Sequence, residues 1–244
     1  MELRDKAALI TGGARRIGRA IALRLARCGC HIAIHYRDSE EAALRTASEC
    51  RQAGGVAEIF RADFADVGQT EQLPPRVVEK LGRLDFLINN ASIFEPMTVE
   101  TFDPANWDRT LRINLTAPMI LTCAARQALR ASGGGRVVNL CDAAAKRPWP
   151  GHLAYATSKG ALETLTMALA RALAPEVHVV GIAPGVAAWS DNYDQAARER
   201  LTARIPLRRA GTADEIAAAV QFVLSQGDYL TGTILTIDGG RSLL

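Results

Sequence analysis

Residues 7–18 read Ala7-Ala8-Leu9-Ile10-Thr11-Gly12-Gly13-Ala14-Arg15-Arg16-Ile17-Gly18. The four apolar residues suit a buried strand. The glycine turn runs directly into Ile17, Ile21 and Leu25, which recur at helical spacing. A glycine turn between strand and helix leaves backbone N–H groups and the positive end of the helix dipole open to a phosphate. The same alternation continues outward along the chain. Further short apolar runs lie at His31–Ile34, Val56–Phe60, Phe86–Ile88, Val137-Val138, Val177–Ile182 and Ile234–Ile237. Between them, Leu162/Leu165/Leu169/Leu173 and Ile216/Val220/Val223 repeat at helical spacing. Runs apolar on both faces suit parallel strands covered by helices on each side. The expected fold is α/β: one doubly wound Rossmann-type domain over 1–244, with about seven parallel strands. The segment from about 185 to 207, with Trp189, Asp191 and Asn192 ahead of a short polar helix, breaks the rhythm and is a candidate substrate lid.

Composition bounds the function. Of 244 residues 48% are hydrophobic, enough for a large core, and 29 Lys and Arg against 26 Asp and Glu leave a charge of +3, which gives no support for nucleic acid or anionic lipid as partner. No apolar run is long enough to span a membrane. The charged start Met1–Lys6 does not read as a signal peptide, so the expected location is cytoplasmic. Five scattered cysteines and four scattered histidines form no metal-ligand spacing; small thiols in a reducing compartment are the expectation, and no metal is expected.

The second strand runs out through His35-Tyr36-Arg37-Asp38-Ser39. A carboxylate at this strand end binds the ribose 2′-hydroxyl of NAD. Here the strand end is His35 and Tyr36, with Arg37 next. Arg16, Arg37 and the Ser39 hydroxyl suit a 2′-phosphate instead, so NADPH is the expected cofactor. The alternative for Arg37 is a solvated charge at the start of a helix.

Over nearly its whole length the chain resembles the short-chain dehydrogenase/reductase family. The matching segments come in order: Thr11–Gly18, Asp63, Asn89-Asn90-Ala91, Asn114, Tyr155-Ala156-Thr157-Ser158-Lys159, Pro184-Gly185 and Asp238-Gly239-Gly240. The resemblance implies a cofactor site made of Gly12, Arg15, Arg16, Ile17, Gly18, His35, Tyr36, Arg37, Ser39, Asp63, Phe64, Asn90, Ala91, Ser92, Tyr155, Lys159, Pro184, Gly185 and Val186. In it, Asp63 binds the adenine amino group and Pro184-Gly185 leads into the loop over nicotinamide. It also implies a homotetramer built on the helices that carry Asn114 and Tyr155, whose small residues are equally suited to packing on the sheet.

Two departures narrow the resemblance. Arg16 replaces the middle glycine of the turn, and Asp142 replaces the usual catalytic serine 13 residues before Tyr155. With His35-Tyr36 and Asn90-Ala91-Ser92-Ile93-Phe94, the chain is similar to the pteridine reductase branch. That branch implies a pterin held by Arg16, Ser92, Phe94, Asp142 and Tyr155, with Asp142, Tyr155 and Lys159 catalytic and Asn114 extending a proton chain to solvent. Trp189 either closes this pocket from the lid or packs on the sheet. Phe94 either stacks on substrate or fills a satellite core.

The residue types carry their own chemistry. Tyr155 and Lys159, four apart, share one helix face, and an ammonium beside a phenol pulls its pKa down from ~10 toward neutrality. An ionised Asp142 beside a carbonyl opposes the developing oxyanion, at a cost on the order of several kcal/mol in a dry site. For a C=N bond the sign reverses, because nitrogen gains a proton as carbon accepts hydride. The alternative is that Asp142 turns to Lys146, Arg147 or a backbone amide. The expected function is therefore NADPH-dependent reduction of a pterin or dihydropterin, dihydrofolate included. The alternatives are an NADPH-dependent carbonyl reductase of the 3-oxoacyl kind and a non-catalytic NADP(H)-binding regulator.

Overall fold

The computed structural model describes residues 1–187 and 194–243. Seven strands form one parallel sheet in the order β3-β2-β1-β4-β5-β6-β7. They are β1 (Ala7–Ile10), β2 (His31–Tyr36), β3 (Ala57–Arg61), β4 (Phe86–Asn89), β5 (Gly135–Leu140), β6 (Val177–Pro184) and β7 (Ile234–Ile237). The helices are α1 (Arg16–Arg27), α2 (Glu40–Gln52), α3 (Val67–Leu81), α4 (Pro104–Leu111), α5 (Ala117–Ala131), α6 (Leu153–Leu173), α7 (Gln195–Ala203) and α8 (Ala213–Gln226). No helix among the described residues is long and apolar enough to cross a membrane.

Strand alternation divides the core in two. Ala8, Ile10, Ile32, Ile34, Phe86, Ile88, Val138 and Ile182 face α1, α2 and α8, where Ile21, Leu25, Ala43, Ile216 and Val220 meet them. Their neighbours Leu9, Ala33, Leu87, Val137 and Val179 face the other way, against Leu73 and Val77 of α3, Leu121 and Leu129 of α5, and Leu169 of α6. Sheet order reverses between β1 and β4, and the strand ends there open a crevice suited to a ligand.

The crevice is sealed at its base by side chain to backbone bonds. Thr11 Oγ1 accepts from the amides of Asn90 (2.8 Å) and Ala91 (2.9 Å) and donates to the Ile88 carbonyl (3.2 Å). Asn90 Nδ2 donates to Thr11 O at 2.8 Å. A Cβ on Gly18 would collide with the Gly12 carbonyl and come within 2.7 Å of Asn90 Nδ2, so only glycine lets helix and loops approach this closely.

Of the segment 185–207 read as a lid, Gly185–Ala187 and Asp194–Leu207 are described, with α7 its short polar helix. Trp189, Asp191 and Asn192 lie outside the described residues.

Candidate active site

Two adjoining cavities lie along the strand ends. One, of 240 Å³, is lined by Gly12, Arg15, His35–Ser39, Asp63, Phe64, Ala91 and Ser92. The other, of 370 Å³, is lined by Arg15–Gly18, Asn90–Ser92, Phe94, Cys141, Asp142, Tyr155, Lys159, Pro184 and Gly185. Gly12, Arg15, Ala91 and Ser92 border both, so the pair form one elongated cleft across the glycine turn. Val186, expected to touch the cofactor, lines a further pocket with Leu207 and Asp238.

At the first cavity, β2 delivers His35 beneath the glycine turn. Its Nδ1 accepts from the Gly12 amide (3.0 Å), which leaves Nε2 to donate to the Ala62 carbonyl (3.0 Å). Phe64 stacks on the ring, 4.1 Å between centres and 11° from parallel. Burial pulls the His35 pKa down to about 4, so the ring is neutral at pH 7. Both nitrogens are committed to the backbone, and His35 shapes the turn. Arg37 pairs with Asp38 at 2.5 Å, and Ser39 starts α2 with no side-chain cap bond. Asp63 Oδ1 accepts from Ala65 N (2.9 Å). Arg16 adopts φ +50, left-handed backbone that costs an L-residue roughly 1–2 kcal/mol. A glycine would sit there without strain.

At the second cavity β5 ends at Leu140, and the chain turns through Cys141 and Asp142 into a 3₁₀ turn, Ala143–Lys146. Asp142 Oδ1 accepts from the Ala144 amide (2.7 Å), capping that turn, while Oδ2 accepts from the Tyr155 hydroxyl at 2.5 Å. The backbone-amide alternative for Asp142 thus holds for one oxygen, while the other meets the tyrosine. Lys159 Nζ donates to the Leu140 carbonyl at 2.6 Å and lies 5.7 Å from the centre of the Tyr155 ring. The phenol does not move toward neutrality as expected from Lys159: burial and the Asp142 carboxylate hold it well above its ordinary range. Burial pulls the Lys159 ammonium down. Burial also pushes the Cys141 thiol up to about 12, so it is a packing residue rather than a nucleophile.

Asn114 sits in a π-helical turn, Arg112–Thr116, between α4 and α5. Its Oδ1 accepts from Ile93 N (2.9 Å), and its Nδ2 donates to Ile93 O (3.0 Å) and Ser158 Oγ (3.1 Å). The loop after β4 is thereby tied to α6. Met97 and His152 form an isolated parallel bridge that ties it again, with Met97 N donating to Gly151 O (2.8 Å) and Leu153 N to Met97 O (3.0 Å). Between these ties Phe94 meets the Tyr155 ring edge-on at 4.6 Å, and His152 stacks on Phe94 at 3.9 Å. Ser92 lies exposed at the mouth, beside both cavities. His152 and Trp149 were missed by sequence reasoning. The signal available for His152 was its place one turn before Tyr155 on the same helix face; Trp149 offered none.

The family model described as enoyl-(acyl carrier protein) reductase matches residues 12–242. The chain belongs to the short-chain dehydrogenase/reductase family. Within it, an uncharacterized oxidoreductase, YgfF, of Escherichia coli is 34% identical over 96% of this chain and 99% of its own. A 3-oxoacyl-[acyl-carrier-protein] reductase of Synechocystis is 31% identical over 98% and 97%. A crystal structure of FolM alternative dihydrofolate reductase 1 from Brucella canis, complexed with NADP, superposes with a TM-score of 0.94 at 34% identity, covering 100% of this chain and 96% of that one. As a member of the family the protein is an oxidoreductase.

Proposed function

We propose that the protein is an NADPH-dependent reductase of a C=N bond in a pterin or dihydropterin, dihydrofolate included. One observation carries the reading: the Tyr155 hydroxyl donates to a carboxylate, Asp142, at 2.5 Å inside the cleft. The likeness to the NADP-bound alternative dihydrofolate reductase supports it.

The cleft fits a dinucleotide, with its bare glycine turn at the centre and Tyr36, Arg37 and Ser39 at one end. In this reading Gly12, Arg15, Arg16, Ile17 and Gly18 hold the diphosphate, and Asp63, Phe64, Asn90, Ala91 and Ser92 line its path. His35 fixes the turn, and Pro184, Gly185 and Val186 flank the nicotinamide. The cofactor supplies the hydride. Asp142 stabilises the positive charge that builds on a ring nitrogen as the adjacent carbon is reduced, and the pair Tyr155–Asp142 delivers the proton that nitrogen takes up. The raised pKa of Tyr155 keeps the phenol protonated and able to donate. Lys159 orients the pair from Leu140, and Asn114 holds the Ile93–Phe94 loop so that Phe94 supplies an apolar surface to the substrate ring.

The second reading, an NADPH-dependent carbonyl reductase with Asp142 protonated, is favoured by the likeness to a 3-oxoacyl reductase. NADPH oxidation followed optically with dihydrobiopterin, dihydrofolate and an acetoacetyl thioester separates the two. Asp142→Ser is expected to lower pterin turnover roughly 100-fold or more and to gain ketone activity. An unchanged pterin rate in that variant would remove the imine argument. A homotetramer through α5 and α6 belongs to the same reading, supported by the exposed Met119 and Met167 on those helices. Light scattering is expected to give four times the chain mass, and a monomer would dismiss it.

A further inference from the structure

Beyond the Asp142 turn lies another cavity, of 430 Å³, outside the cleft described above. Its walls include Arg147, Trp149, Arg204 and Arg241. The three arginines come from separate elements: Arg147 ends the 3₁₀ turn that begins at Asp142, Arg204 ends α7, and Arg241 opens a terminal 3₁₀ turn, Arg241–Leu243. That last turn is held in place by Asp238, whose Oδ1 accepts from Gly240 N (2.9 Å) and Oδ2 from Ser242 N (2.6 Å).

Ion pairs elsewhere use other arginines, as in Arg19–Glu49, Arg83–Asp85, Arg109–Glu95 and Arg209–Glu215. Among the described residues none joins Arg147, Arg204 or Arg241 to a carboxylate. Arg147 and Arg204 are exposed and Arg241 is half-buried, so the three guanidinium groups around one cavity attract an anion with a strength that falls as salt rises. Guanidinium groups match carboxylates in paired, bidentate fashion. The cavity is also within reach of the reacting centre. Arg241 lies over Trp149 at 4.8 Å, and Trp149 meets Phe94 edge-on at 5.8 Å. A substrate ring between Asp142 and Phe94 is thus two ring contacts from Arg241, on whose cavity Arg147 and Arg204 also open, a span for a short aromatic arm with acidic groups at its far end.

We propose that this cavity is the subsite for the dicarboxylate tail of a conjugated pterin, of the p-aminobenzoyl-glutamate kind. The inference rests on the pterin reading and deepens it: the arginines select a folate-type substrate over an unconjugated pterin. The two carboxylates lie among Arg147, Arg204 and Arg241, with the benzoyl ring beside Trp149.

The test compares dihydrofolate, dihydrobiopterin and an acetoacetyl-coenzyme A thioester as substrates of the wild-type enzyme and of the double variant Arg147→Ala/Arg204→Ala. Expected is a loss of roughly tenfold or more in kcat/KM for dihydrofolate, carried by KM, with dihydrobiopterin changed less than about twofold. In the wild type, added salt is expected to raise KM for dihydrofolate and not for dihydrobiopterin, a readout that needs no variant. Equal losses for both pterins, or no loss for either, would overturn the subsite and leave the pterin reading standing. A loss confined to the thioester would reassign the cavity to a phosphate-bearing carrier and overturn the proposal. NADPH oxidation with neither pterin in the wild type would overturn the pterin reading and the subsite together.

Discussion

The two ends of the cleft are built by different means. The first end rests on the glycine turn shared by both cavities, whose shape is set by short backbone contacts: the Gly12 amide held by His35, the Asn90 and Ala91 amides held by Thr11, and a helix start brought close by Gly18. At the 370 Å³ end the surface is side chains drawn from three distant segments: Phe94 after β4, Asp142 after β5, and Tyr155 and Lys159 on α6. The first end is fixed by short-range geometry and tolerates no bulk. The second depends on tertiary contacts that bring its segments together, so its chemistry can change by exchange of single side chains while the first end stays constant. The replacement of serine by Asp142 beside an intact Tyr155 and Lys159 is such an exchange.

Three variants test how independent the ends are, the largest effect first. Tyr155→Phe removes the proton donor of the second end only. Turnover is expected to fall roughly 100- to 10,000-fold, with NADPH affinity by fluorescence titration kept; loss of NADPH binding would show the ends to be coupled.

Titration of His35 tests the first end. Its pKa of about 4 in the fold lies below 6.5, its ordinary value. Between these values the unfolded chain binds more protons, so the stabilisation is complete above about pH 6.5 and is lost as pH falls toward 4. Protonation also removes the acceptor for the Gly12 amide. From pH 7 to pH 5 the loss is expected to be about 2 kcal/mol in urea unfolding. His35→Gln should flatten that slope; an unchanged slope would place the acid sensitivity elsewhere.

Arg16→Gly gives the smallest change in stability and sharpens the contrast, since the residue borders the second cavity from the glycine turn. Release of the left-handed backbone is expected to raise stability by about 1 kcal/mol, while affinity for both NADPH and pterin falls. Normal affinities would dismiss a ligand role for the guanidinium.

These differences set what could be read from sequence. The fold was legible because the central strand runs face helices on both sides and so are mostly apolar, and because the Thr11–Gly18 turn joins a strand to a helix within twelve residues of chain. That Tyr155 and Lys159 share one helix face was legible from their spacing, while Asp142 was singled out only through the resemblance to the family pattern. The direction of the Tyr155 shift was not, since it depends on burial and on which way Asp142 points. Nor was the stacking of His152 on Phe94, which follows from the bridge to Met97, between residues distant in sequence. The three-arginine cavity was illegible for the same reason, as positions 147, 204 and 241 meet only once the terminal turn folds back over the Asp142 segment.

Thr11 carries one more consequence. Its hydroxyl serves two amides and one carbonyl at the place where the order of strands reverses. Valine has nearly the same shape and would fill the space equally well, yet it would strand two partly buried N–H groups, each worth about 1–3 kcal/mol when left without an acceptor. Identity at this position is therefore dictated by valence rather than by volume: a lone oxygen acts as the rivet between the two halves of the sheet.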